Sequence, residues 1–206
     1  MTTSGDGGDL DPQLDAFSVD VRDLLQRSVA NLYSHLVTRP TGRAVRLAIE
    51  AQLQEISPPA LSLVDLSSVS VLDYSCADEV VAKLLLQGAE GSPPRGGTVY
   101  FIFQGLKAHH REPILEVLNR HELAAVVQAV GRSEPFQLMG VRSSLEEEVW
   151  SAIESRGRIP GARIPDAFPE GRQREVVDGL ARRGLLFRHP LRGDIHALSH
   201  LARRFE

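Results

Sequence analysis

The hydrophobic positions along this chain change period several times, and each change marks an element. Residues 61–66 (LSLVDL) are a short apolar run, the pattern of a strand buried on both faces. After a polar turn at 67–71, Ala77, Val80, Val81, Leu84 and Leu85 fall at helical spacing and predict a helix over 76–87. Upstream, Val21, Leu24, Leu25, Val29, Leu32 and Leu36 step by three and four. That predicts a helix over 17–37, although 33–37 also reads as a strand. Thr41 is placed to cap a second helix, 43–56, with Val45, Ala48, Ile49 and Leu53 inward. Downstream, the aromatic and β-branched run 98–104 (TVYFIFQ) predicts a strand. A helix follows at 109–121, and the apolar runs 124–130 and 136–141 suit an antiparallel hairpin. Strand and helix thus alternate, as in a mixed sheet with helices packed on it.

Residues 73–75 (DYS) sit where the central strand hands over to its helix, so Ser75 is predicted at or next to a helix N-cap. The residues 64–67 (VDLS), Val69 and then 72–75 (LDYS) before a helix resemble the STAS domain, named for sulphate transporters and anti-sigma-factor antagonists. In the antagonists of that family the last serine is phosphorylated by a partner kinase, and the resemblance puts Ser75 in that position. The chain continues Cys76-Ala77-Asp78-Glu79 instead of glycine and small apolar residues, which is similar to a divergent branch with a Ser-x-Ala-Asp-Glu signature. The likeness spans roughly residues 40–130. It implies a surface of Asp73, Tyr74, Ser75, Cys76, Asp78 and Glu79 that binds a protein partner, such as a kinase-type anti-sigma factor. STAS domains usually open with two strands, whereas this chain is predicted to open with helices.

The last third has a different charge balance. Of 23 basic and 27 acidic residues, 11 and 17 precede residue 141, so the larger part carries −6; the remainder carries +2, and its basic residues are all arginine. A helix is predicted from Ser143 or Ser144 to Ser155, a proline-broken segment over 159–168, a helix over 170–183, and two strands at 185–188 and 195–198. The order helix, short helix, helix, two strands, with GLARRGLLFR and RGDIHAL at its end, resembles a winged helix-turn-helix. The chain therefore reads as a polar, acidic, disordered lead (1–16), a STAS-like domain (17–141) and a winged-helix-like α+β domain (142–206).

Arg172, Arg174, Arg182, Arg188 and Arg192 lie on the predicted third helix and wing, where a winged helix meets DNA. The same helix face also carries Glu175 and Asp178, and mixed sign suits phosphates poorly. Protein binding is therefore the preferred reading, DNA-binding transcriptional regulation the alternative, and a homodimer stays open. Asp73, Asp78 and Glu79 could form a carboxylate cluster for acid–base work or a metal; the plainer reading is solvated acids at a helix start. Cys76 reads as a packing residue, and no histidine spacing makes a metal or catalytic set, so no enzyme, cofactor or metal is expected. The glycine-rich loop 88–97 lacks Gly-Lys-Ser/Thr and precedes a strand, so it is no phosphate cradle. One cysteine, no apolar run of membrane length and no signal-peptide pattern place the expectation in the cytoplasm, without membrane partners.

Overall fold

The computed structural model describes residues 15–20, 35–55, 59–89, 98–131 and 133–203. Among them a five-stranded sheet forms from β1 (Asp15–Asp20), β3 (Ala60–Asp65), β5 (Val99–Leu106), β6 (Ala124–Ala129) and β7 (Phe136–Gly140), in that spatial order. The first four strands run parallel and β7 is antiparallel to β6, so the predicted hairpin forms. A separate parallel pair joins β2 (His35–Leu36) to β4 (Val71–Leu72). The helix predicted over 17–37 is thus a strand at its start and a strand near its end. Its middle, like the lead 1–14, lies outside the described residues. The period of two in Phe17-Ser18-Val19-Asp20 and the parallel ladder to β3 explain the difference at the start. Among the described residues the first two elements are strands.

Three helices cover one sheet face. Helix α1 (Arg39–Leu53) starts four residues before the predicted 43, because Thr38, not Thr41, is the cap: its hydroxyl accepts from the Thr41 N–H. Helix α2 is α-helical over Tyr74–Ala77, widens to a π-turn over Asp78–Ala82 and returns to α-helix over Lys83–Ala89. Helix α3 (Arg111–Arg120) follows a 3₁₀ turn at Ala108–His110. Helix α2 is the middle one, packed against α1, α3 and the sheet, and all five residues of its π-turn are buried. Gly42 on α1 permits that closeness, since a Cβ there would lie 2.9 Å from the Cys76 Cα. At the end of β5, Gly105 has φ +71°, and a Cβ would come within 2.6 Å of the Asp65 side chain. That close approach lets Asp65 accept from the Ser67 N–H at 2.7 Å and turn the chain toward β4.

The other face is covered by the C-terminal third. This comprises α4 (Ser144–Arg156), β8 (Arg158–Ile159), a 3₁₀ turn (Gly161–Arg163), α5 (Ile164–Ala167), α6 (Gly171–Arg182), β9 (Leu186–Arg188), β10 (Ile195–Ala197) and α7 (Leu198–Ala202). Its strands make a three-stranded antiparallel sheet in the order β8-β10-β9. Val149, Trp150, Phe187 and Leu198 share one core with Leu61, Tyr100, Ile102 and Leu138 of the large sheet, and Tyr100 meets Phe187 edge to face at 5.6 Å. The fold class is therefore mixed α/β in three layers: helices, sheet, C-terminal unit. No helix among the described residues is long and apolar enough to cross a membrane.

Candidate functional site

The central junction starts from the paired short strands. β2 leads into α1 and β4 into α2, and the Asp73 N–H donates to the Leu36 carbonyl at 2.8 Å, so both helices begin side by side. Asp73 is the N-cap of α2: its Oδ1 accepts from the Cys76 N–H at 3.0 Å and from the Ser75 hydroxyl at 2.8 Å. The helix thus begins at Tyr74, ahead of the predicted residue 76, and Ser75 stands in its first turn, half-buried and tied to the cap. Tyr74 is also half-buried. Its hydroxyl accepts from Arg120 Nη1 at 2.7 Å, while the same guanidinium sits 5.8 Å from the ring centroid.

The other three residues of the predicted surface turn inward. Cys76 is fully buried, donates its thiol to the Thr38 carbonyl at 3.0 Å, and has its pKa pushed up to about 11 by burial and then by the Asp73 charge. Packing holds for it. Asp78 and Glu79 are buried too, which overturns their reading as solvated helix-start acids. The π-turn and the flanking helices enclose them, and cations from α1 and α2, together with the His121 ring just past α3, reach them. Asp78 accepts from Arg39 Nη1 at 2.7 Å and lies 2.7 Å from His121 Nε2, with Lys83 at 3.9 Å. Glu79 accepts from the same Arg39 nitrogen at 3.1 Å, from Arg46 Nε at 3.1 Å and from Lys83. Arg46 also pairs with Glu50. Burial alone would raise both carboxyls. For Asp78 the bonds from Arg39 and His121 outweigh it, for Glu79 those from Lys83 and Arg46, and both pKa values end below the usual range.

Arg39, Arg46, Lys83 and His121 are absent from the set read from sequence. Lys83 was accessible as the i+4 partner of Glu79, and Arg39, Arg43 and Arg46 recur at four and three along one helix face. The two carboxylates are thus satisfied by their own counter-charges, while the Arg39 and Lys83 side chains stay partly exposed. Among the described residues no group of three His, Cys, Asp or Glu is arranged to hold a metal. His110 is buried and its pKa pushed down to about 4, by burial first and then by the charges of His109 and Lys107; its Nδ1 accepts from the Lys107 N–H.

The arginines of the C-terminal unit are unevenly available. Arg172 and Arg182 are exposed on α6. Arg174 instead donates to the carbonyls of Phe168 and Pro169, and Arg188 pairs with Asp178. Arg192 lies 4.0 Å from the buried Asp194, which also accepts from Arg158 at 2.7 Å and the Gly161 N–H at 2.8 Å. The hairpin 189–194 is closed by His189, whose Nδ1 accepts from the Leu191 and Arg192 N–H groups, leaving Leu191 outward at its tip. Searches against protein-family models, curated proteins and solved structures gave no match.

Proposed function

We propose that the chain is a non-enzymatic regulatory protein: a STAS-like partner-switching module whose back is closed by a winged-helix-like unit. The observation that supports this reading is the Asp73–Ser75 pair, a hydroxyl half-exposed in the first turn of the central helix and held by the cap. A phosphate there adds about −2 charges beside the Asp73 carboxylate. It would break the Ser75–Asp73 bond and alter the surface formed by Asp73, Tyr74 and Ser75. The partner would be a kinase-type anti-sigma factor, as the resemblance implies. In the test, the protein is incubated with ATP and a candidate ATPase of the histidine-kinase-like class, Ser75 is mapped by mass spectrometry, and binding is compared across variants. Binding kept in Ser75→Ala and lost in Ser75→Asp is the expected result; equal binding by both, with Ser75 unmodified, contradicts it.

A second reading, duplex-DNA binding by the C-terminal unit, is favoured by the exposure of Arg172 and Arg182. The pairing of Arg188 with Asp178 on the same face weighs against it, because phosphate binding depends on accumulated, uncompensated positive charge.

A further inference from the structure

An open groove of about 680 Å³ lies between α1 and the π-turn of α2 with Lys83 just after it. Four cations line it, Arg39, Arg43, Arg46 and Lys83, with the Glu79 carboxylate as their single anionic counterpart in the lining. Depth separates the two signs. The Glu79 side chain is only 2% exposed, whereas those of Arg39 and Lys83 are 49% and 38% exposed and Arg43 is exposed. Outside the lining, Asp78 also pairs with Arg39 and Glu50 with Arg46, so four cations meet three carboxylates and one positive charge is left over; what reaches solvent is chiefly N–H donors.

Arg39 is also held in place. Both of its ion-pair hydrogen bonds, to Asp78 and Glu79, run through Nη1. The Nε and Nη2 side of the guanidinium is left for a ligand, on a fork whose orientation two buried carboxylates already fix. Beside the cations stands Leu47, a large apolar side chain left 47% exposed on the lining. A bare phosphate would use the donors and ignore Leu47. A chain segment carrying both carboxylates and an apolar residue would use both.

We infer that this groove is a docking site for an acidic segment of a partner protein, with aspartate or glutamate on Arg39, Arg43 and Lys83 and an apolar side chain on Leu47. The lining contains none of Asp73, Tyr74 or Ser75, so the inference stands apart from the role given to Ser75. It is tested on the full chain by fluorescence anisotropy with a short labelled peptide of glutamate and aspartate carrying two leucines one helical turn apart. The controls are the same peptide with serine for leucine, the same peptide with lysine for the acids, and a duplex DNA of random sequence.

The first peptide binds saturably, the lysine peptide does not, and the serine peptide binds more weakly. Arg43→Glu and Leu47→Ser each weaken binding by about fivefold or more, as expected for reversing or removing a contact at a rim. Both side chains are exposed, so the unfolding midpoint of each variant stays with the parent. Equal affinity for the leucine and serine peptides, unchanged affinity in Arg43→Glu, or no saturable binding overturns the inference. Duplex DNA binding that is lost in Arg43→Glu overturns it too, by making the groove a polyphosphate surface.

Discussion

At the scale of single residues, burial decides chemistry in the stretch 73–79. Cys76 stands in the first turn of a helix, a position that often activates a thiol, yet its pKa is pushed up to about 11. A free cysteine ionises near 8.5, so at pH 7.5 the folded protein holds roughly 300-fold less thiolate. Ellman's reagent is expected to modify folded Cys76 at least ~100-fold more slowly than free cysteine, with full reactivity restored in urea. Rapid labelling of the folded protein would contradict the burial. The sequence made Cys76 legible as a packing residue, because lone cysteines in apolar helices mostly pack. Asp78 and Glu79 were not legible: their partners Arg39 and Arg46 come from 39 and 33 residues away, where no local spacing reveals them.

Among elements, α1 and α2 are joined by this buried charge cluster as well as by apolar contact. The pKa values of Asp78 and Glu79 are depressed in the folded state. Their contribution to stability is therefore present above the unfolded carboxyl pKa, near 4, and is lost as the pH falls through the lower folded values. Replacing Glu79 by Gln leaves Arg46 and Lys83 without their shared anion. Removing one member of a buried pair costs about 3 kcal/mol. Urea titrations of Glu79→Gln at pH 7 are expected to show a loss of that order, and the gap to the parent should narrow toward pH 3. An equal gap at both pH values would sink the assignment. The element pattern was legible where periodicity was strong, as at β3, β5 and the β6–β7 hairpin. It misled at β1, where hydrophobic spacing downstream carried a helical reading into a strand. The π-turn left no mark in the sequence, because its residues are apolar or paired on every side.

For the molecule as a whole, the two portions of the sequence, carrying −6 and +2, pack against each other through one shared core. Tyr100 and Ile102 alternate with Phe101 and Phe103 along β5, so both faces of the sheet are apolar and each needs a cover. The helices supply one; the C-terminal third supplies the other. Unfolding followed by tryptophan fluorescence, from Trp150, and by far-ultraviolet circular dichroism should coincide in one transition. Phe187→Ala, which removes the ring facing Tyr100, is expected to lower the stability of that single transition by about 3–5 kcal/mol. Two separated transitions would show the halves to be independent. The order of synthesis adds a constraint of another kind. The cover for the second face is translated after the sheet, and at about 5–20 residues per second its roughly sixty residues need some 3–12 s to emerge. Throughout that interval the nascent sheet presents a bare apolar wall, so the growing chain depends on the arrival of residues 142–203, or on a chaperone standing in for them.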